Sequence, residues 1–177
     1  MNLKKIKLIG IIGIFGLCFI NHFIYDIFPN DFFAIFFPVN ESIWEHMKML
    51  FTTVLIYGFI EYIFLKYYKI QFSNFFLSLY LSSLFSIVIY LSLFLPFSYL
   101  FGESEILIFS TLIITIILIQ LLGYYVMIKK QYNFQFIPVI LIGISYIVFG
   151  YLTYHPIKTD LFYDKSHEKY GISYYDM

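Results

Sequence analysis

The chain has 177 residues, of which 61% are hydrophobic, 24% aromatic and only 12% charged. Because a soluble domain carries about 25% charged residues, this composition excludes an ordinary soluble domain and indicates a membrane protein. The formal net charge is zero, all basic residues are lysines, and no basic patch indicates a nucleic-acid partner. The lipid bilayer is therefore the expected partner of most of the surface.

Five apolar stretches are each long enough to cross a bilayer as a helix. They predict an all-α integral membrane bundle with spans at about residues 8–28, 41–66, 74–95, 104–128 and 136–154. Pro96 is expected to stop the third helix, since a proline removes one helical hydrogen bond. The aromatic segment 32–38 is too short to span, so we place it at the interface or in a shallow re-entrant turn. Residues 155–177 form a polar tail.

The distribution of lysines predicts the orientation, because cytoplasmic loops carry an excess of lysine. Seven lysines fall at one pole of the predicted bundle: Lys4, Lys5, Lys7, Lys66, Lys69, Lys129 and Lys130. Lys48 is the only lysine in the loops of the opposite pole, and three more lie in the tail. We predict a cytoplasmic N-terminus and an external tail, in a multi-pass protein of the plasma membrane. The first segment lacks a small-x-small cleavage site, which is typical of an uncleaved anchor.

Small residues are expected to mediate helix packing in the first and third spans. Glycines thin one side of the first helix and serines recur every four residues in the third, a pattern that favours close approach of a neighbouring helix. The positions are Gly10, Gly13, Gly16, Ser78, Ser82 and Ser86. Cys18 is the only cysteine, so no internal disulfide forms, and we expect it to be a small core residue.

The most polar run next to an apolar stretch lies where the second helix begins. Asn40 is a good N-cap, whereas Ser42 with Glu45 three residues later fits a capping box. The sequence leaves both starts open. Trp44 is most simply an interfacial anchor, and Lys48 is expected to snorkel or to pair with a nearby glutamate.

After orientation, the outer pole holds all four histidines and ten of the eleven acids. Imidazole and carboxylate together are the ligand set of Zn²⁺ or Fe²⁺ and also serve acid–base catalysis near neutral pH. No specific motif such as His-Glu-x-x-His is present, so the choice between the two metals stays open. The predicted metal ligands are His22, His46 and Asp164, the predicted acid–base residues are Glu41, Glu45 and Asp26, and the predicted supporting residues are Asn40, Trp44, Lys48 and Tyr170.

The spacing of these residues also has structural interpretations. His22 and Asp26 share a helix face and are typical of a structural hydrogen-bonded pair as well as of a site. Glu41 and Glu45 share a face if the second helix begins early enough, but acids near a helix N-terminus are favoured by the macrodipole alone. Convergence of several outer ends, rather than any single pair, therefore supports the site.

A second polar feature follows the second helix inward. His46, Thr53, Tyr57 and Glu61 form a slowly drifting stripe. A charge in hydrocarbon costs at least ~2.5 kcal/mol on insertion scales. Glu61 therefore indicates a proton or cation relay, an interfacial glutamate with a lysine partner, or a neutral, hydrogen-bonded glutamate.

The run from Pro38 to Lys48 resembles the Val-Asn-Glu-Ser-x-Trp-Glu-His-x-Lys motif of a family of small bacterial polytopic membrane proteins of unknown function. The other matching features are a histidine at the outer end of helix one (His22), Glu-Tyr at 61–62, Leu-Phe-x-Asp at 161–164 and Tyr-Gly-Ile at 170–172. The family has Pro-Pro-His before the tail Leu-Phe, where this chain has His155-Pro156 followed by Ile-Lys, so His155 stays outside the predicted site. The resemblance implies a membrane bundle and supports the residue set, but it implies no reaction.

Three functions remain in competition. The first is a metal or acid–base enzyme acting on a lipid or lipid-linked substrate, which requires both site histidines and one nearby carboxylate within coordinating distance. The second is a small transporter or ion pathway that uses Glu61. Five spans lack the paired repeats common in transporters, a lack for which a homo-oligomer could compensate. The third is a non-catalytic accessory subunit whose Trp44 motif docks the tail or a partner.

Overall fold

A computed structural model describes residues 1–172 of the chain. The last five residues of the predicted tail, Asp176 among them, lie outside the described residues. The helices are α1 (Leu3–His22), α2 (Ile24–Ile27), α3 (Asp31–Phe36), α4 (Ile43–Tyr67), α5 (Phe75–Phe101), α6 (Glu105–Met127) and α7 (Ile137–Tyr154). A 3₁₀ turn (Asp160–Phe162) and a hairpin of β1 (Tyr163–Asp164) with β2 (Lys169–Tyr170) follow. The all-α prediction is confirmed, and the hairpin is a small addition to it.

Five segments are long and apolar enough to cross a membrane: Leu3–Ile27, Ile43–Tyr67, Phe75–Phe101, Glu105–Met127 and Ile137–Tyr154. Their alternating direction brings the C-terminal end of α1, the N-terminal end of α4 and the tail to one end of the bundle, which we call the tail pole. Two of the five segments, α6 and α7, begin and end within about a residue of the predicted bounds. The fold is that of a multi-pass membrane protein.

Helix α4 is the central element. Two thirds (67%) of its most apolar window is buried, against 17–39% for the other four segments. It packs on α1 and α5, while α6 contacts both of those helices. The buried faces of α4 hold its polar residues Glu45, Thr53 and Glu61, which therefore face protein rather than the outer surface of the bundle.

Helix α1 begins earlier than predicted. Asn2 caps it by accepting a hydrogen bond from the Lys5 backbone N–H, so Lys4, Lys5 and Lys7 lie within the helix and not before it. The Lys7 side chain is buried and its Nζ lies 2.8 Å from Oε1 of Glu61. The helix is interrupted at Phe23, which has φ −100° and ψ 0°, and α2 continues to Ile27.

The prediction that Pro96 ends the third span is wrong. Helix α5 passes through Pro96 and continues to Phe101, ending before Gly102 at φ +79°. Transmembrane helices tolerate an internal proline because neighbouring groups and local adjustment satisfy the freed backbone. The packing role of the serines is confirmed: Ser78 and Ser82 donate hydrogen bonds to the backbone carbonyls of Gly123 and Ile119 on α6.

The tail folds back onto the tail pole. The Ile172 N–H donates to the Thr153 carbonyl at the end of α7, and the Asn40 amide donates to the Gly171 carbonyl at 3.0 Å. Gly171 has φ +59°, and a Cβ there would lie 2.5 Å from the Thr153 carbonyl oxygen. Only glycine fits this position, which closes the chain against the start of α4.

Candidate metal centre at the tail pole

Two histidines and one glutamate converge at the tail pole. Nε2 of His22 lies 3.1 Å from Nε2 of His46, and Oε2 of Glu41 lies 3.6 Å from the first and 3.5 Å from the second. These three residues form the one group of metal-ligating side chains found among residues 1–172. We call it the His–Glu–His cluster.

Three separate elements bring the cluster together. His22 is the last residue of α1, Glu41 lies in the loop before α4, and His46 lies in the first turn of α4. Ser42 is the N-cap of α4, and its side chain accepts from the Glu45 N–H. This settles the helix start that the sequence left open, and it places Glu41 outside the helix, where it does not share a face with Glu45.

A hydrogen bond fixes the tautomer of His46. Its Nδ1 lies 2.9 Å from the Ser42 carbonyl oxygen, and a carbonyl only accepts, so Nδ1 carries the proton. Nε2 of His46 is then the nitrogen that faces the cluster, 3.1 Å from Nε2 of His22. Ligating histidines in metal sites show the same arrangement, in which the second ring nitrogen donates to a backbone carbonyl.

The tail holds Glu41 in place. Its backbone N–H donates to Oδ2 of Asp164 at 3.1 Å. The pKa of the Glu41 carboxyl is lowered, chiefly by interaction with His22; burial opposes this shift, and the charges of both cluster histidines add to it. Glu41 is therefore an ionised carboxylate at neutral pH, which is the form that binds a cation.

The cluster fits a tetrahedral metal ion. Two ligands at 2.0–2.1 Å from Zn²⁺ in tetrahedral geometry lie about 3.3 Å apart, and the three observed separations lie on both sides of that value. Three protein ligands leave a position open, as in catalytic zinc sites. Two histidines with one carboxylate are also the facial triad of non-haem Fe²⁺, so the donor set accepts both metals that the sequence predicted.

The His–Glu–His cluster lies between two cavities. On one side is a mostly apolar cavity of about 490 Å³ among α1, α4, α5 and α6, with all three cluster residues in its wall. On the other side is a polar cavity of about 390 Å³, whose wall includes His22, Glu41 and Asp26. The cluster thus faces a hydrocarbon-like space and a polar space at once.

Glu45, a predicted acid–base residue, is not a member of the His–Glu–His cluster. Its side chain is 2% exposed and pairs with Lys48, which is wholly buried. Lys48 also donates to the Ala34 carbonyl at 2.7 Å and to Thr153 Oγ1 at 2.9 Å. The Glu45 carboxylate accepts from the Val39 N–H at 3.2 Å rather than returning to the N-cap. Glu45 is therefore part of a buried structural network, because the alternative for either charge is burial without a partner.

Asp164, a predicted ligand, also lies outside the His–Glu–His cluster. Its Oδ1 accepts from the N–H groups of Ser166 and His167, and its Oδ2 accepts from Glu41 and from Nδ1 of His167. Burial raises the pKa of this carboxyl, whereas the hydrogen bonds from Glu41, His167 and Ser166 lower it. The hydrogen bonds together outweigh burial, so the pKa lies below its usual value. With both oxygens occupied by donors, Asp164 positions Glu41 and does not join the cluster.

The remaining predicted residues surround the cluster at greater distance. Asp26 is exposed in the wall of the polar cavity. Trp44 stacks on Phe162 of the tail, with ring centroids 4.8 Å apart, so it anchors the tail. Tyr170 pairs with Tyr163 across the hairpin. His155 packs its ring on Tyr151, outside the cluster, as the family comparison of its flanking residues suggested.

The polar stripe along α4 is interrupted by packed residues. Thr53 donates to the Met49 carbonyl and accepts from Asn21. Glu61 is paired with Lys7, so it has the lysine partner that one interpretation of the sequence predicted. Apolar side chains of the largest core cluster, including Met49, Leu50 and Val54, fill the space between. Glu61 therefore forms a buried ion pair with Lys7 inside the bundle.

Sequence reasoning missed two residues. His167 lies in the polar cavity wall and bonds Asp164, but it lies in the tail, 145 positions after His22, and only the hairpin brings it near. Lys7 looked like a flanking charge, since three lysines precede the apolar run. The feature that could have indicated a buried role for Lys7 was Glu61. It is the single acid predicted at the inner pole, and a buried carboxylate is stable only with a cationic partner.

The fold and the cluster define a class: a multi-pass membrane-type helical bundle that carries a candidate metal centre at one end. The chain belongs to DUF6512, a family of unknown function, whose model matches residues 1–172. The predicted membership in a family of unknown function is confirmed. No curated protein and no solved structure matches the chain.

Proposed function

We propose that this protein is a metal-dependent membrane enzyme with its site at the outer membrane face and a lipid-type substrate. The observation that carries the proposal is the His–Glu–His cluster, in which three ligating atoms lie 3.1–3.6 Å apart. Two imidazoles and an ionised carboxylate are a complete protein ligand set for a catalytic Zn²⁺ or Fe²⁺.

The surroundings of the cluster favour an enzyme over a structural metal site. Structural zinc sites are closed by four protein ligands, whereas three ligands leave room for water or substrate. Cavities of about 490 Å³ and 390 Å³ meet at the cluster, within the range of ligand pockets. A bound divalent ion would polarise a substrate oxygen and lower the pKa of water.

Residues around the site supply the other functions that catalysis requires. His22, Glu41 and His46 bind the metal ion. Asp26 offers an exposed carboxylate in the wall of the polar cavity, and this carboxylate serves as proton acceptor. Asp164 and Ser42 hold the ligands in orientation through Glu41 and His46. The external location of this pole is supported by the excess of lysines at the opposite pole.

The test is the metal content of the detergent-purified protein. We expect stoichiometric Zn²⁺ or Fe²⁺ in the wild type, and its loss in His22→Ala and His46→Ala. His155→Ala is the matched control, because this histidine lies outside the cluster, and it retains the metal. A wild type without metal after incubation with either ion, or histidine variants that fold normally and keep their metal, would contradict the proposal.

A further inference from the structure

We propose that the apolar cavity beside the cluster binds the acyl chain of a membrane lipid and that the reacting group is the carboxylic ester joined to that chain. This inference rests on the proposed function, since it assigns a substrate class to the same site. Three observations carry it: the lining of the cavity, its access from the bilayer side, and the position of the cluster at its polar end.

The lining is almost entirely hydrocarbon and aromatic. Cys18, Leu50, Tyr90 and Leu112 form its buried wall, and the polar residues of the lining are the three cluster residues and Glu105. Among residues 1–172, no lysine lines this cavity. Burial of each methylene of a chain there is worth about 0.8 kcal/mol relative to water, so the cavity favours an alkyl chain.

Access comes from the lipid-facing side of α1 and α6. Phe19, Ile108 and Phe109 line the cavity and are also exposed on the surface of the bundle. The rings of Phe19 and Phe109 stack with centroids 5.8 Å apart, so apolar side chains of both helices form the exposed edge of the cavity. A chain that enters between these helices passes from hydrocarbon into an apolar cavity without crossing water.

The position of the cluster selects the ester. His22 and Glu41 belong to the walls of both cavities, so the reacting atoms lie where the apolar space meets the polar one. In an acyl lipid the carbonyl is directly joined to the chain, whereas a phosphate lies several bonds further into the headgroup. A chain in the apolar cavity therefore presents its carbonyl, and not a phosphate, to the cluster.

The charges at the cavity favour a neutral ester over its acid product. Glu105 lines the apolar cavity and is not a member of the cluster, so a fatty carboxylate next to it meets like charge. Water from the polar cavity adds to the carbonyl carbon, and the bond from that carbon to the alcohol oxygen breaks. The water proton passes through Asp26 to the leaving alkoxide, so the products are a carboxylic acid and an alcohol.

The test uses a fatty acyl ester with a diazirine at the end of its chain, photocrosslinked to the purified protein in detergent. We expect labelled peptides from the buried wall, at Cys18, Leu50 or Leu112. Ile108→Trp narrows the opening and is expected to lower labelling about tenfold, equivalent to ~1.4 kcal/mol. Ile114→Trp, the same change on a surface position of α6 outside the cavity, is the matched control and leaves labelling unchanged.

Two further arms separate this inference from the proposed function. His46→Ala is expected to lose the metal and to keep chain labelling, so chain binding is measured independently of the metal site. With the metal loaded, the ester is cleaved and the ether-linked analogue binds without being cleaved. Labelling confined to the outer surface of the bundle, an uncleaved ester, or release of a phosphorylated headgroup instead of a fatty acid would overturn the inference.

Discussion

Glu41 and Glu45 are four residues apart and chemically identical, yet the fold gives them opposite tasks. The Ser42 cap starts α4 between them. Glu41 remains in the loop with its carboxylate half exposed beside two histidines, whereas Glu45 turns inward to a wholly buried lysine. The difference follows from where the helix begins, and the choice between Asn40 and Ser42 was the one that the sequence left open.

The buried Glu45–Lys48 pair is expected to control stability. Lys48→Met leaves the carboxylate buried without its cation and should lower the free energy of unfolding by about 3–5 kcal/mol. The double variant Glu45→Gln, Lys48→Met should lose less than the sum of the two single variants. Denaturant unfolding in detergent measures the free energy of unfolding of the wild type, the two single variants and the double variant.

An exposed pair provides the control for that prediction. Nζ of Lys165 lies 2.6 Å from Oε1 of Glu103, and both side chains are largely exposed. Lys165→Met should therefore change the free energy of unfolding by about 1 kcal/mol or less. Equal losses for Lys48→Met and Lys165→Met would contradict the structural role of the buried pair.

Asp164 acts on the cluster through Glu41. Asp164→Ala removes the acceptor of the Glu41 N–H and should weaken metal affinity about 10–100-fold, as the loss of an outer-shell partner does. Asp164→Asn keeps one oxygen and should recover part of the affinity. The measurement is a metal competition titration, and unchanged affinity in Asp164→Ala would remove the positioning role.

At the scale of elements, α1 and α4 approach closely because glycine allows it. A Cβ at Gly13 would lie 2.5 Å from Cε2 of Tyr57, whereas a Cβ at Gly16 has nothing within 4 Å. We expect Gly13→Ala to destabilise the bundle by about 1–3 kcal/mol through overpacking. Gly16→Ala should be neutral or stabilising by up to about 1 kcal/mol, since alanine favours a helix.

Thermal unfolding of the two variants side by side is the measurement. The same change is made three residues apart on the same helix, so the contribution of helix propensity is the same in both variants. The difference between their stabilities then reports the contact of Gly13 with α4. Equal effects at both positions would contradict the packing of Tyr57 against this glycine.

The five long helices could be predicted because apolar length is a local property of the sequence. Pro96 misled because the prediction used a rule for aqueous helices, whereas a membrane helix continues through proline. His22 and His46 were predicted together from their common pole, and the structure places their nitrogens 3.1 Å apart. Asp164 and His167 depend on a hairpin of two-residue strands, for which the sequence carries no periodic signal.

At the scale of the whole molecule, the proposal requires the tail pole to face the outside. Lys165→Cys lies at this pole and Lys129→Cys lies beyond the opposite end of α6. In a Cys18→Ala background, a membrane-impermeant maleimide should label Lys165→Cys in intact cells and Lys129→Cys only after permeabilisation. The reverse labelling would place the cluster on the cytoplasmic side.

The most direct test of the central claim is X-ray absorption spectroscopy of the metal-loaded protein, because it reads the ligands themselves. The account predicts two imidazole nitrogens and at least one carboxylate oxygen on the ion, and no bound ion in His46→Ala or His22→Ala. The His155→Ala spectrum should match the wild type. A metal shell without imidazole, or one that is identical in all four proteins, would contradict a metal centre at His22, Glu41 and His46.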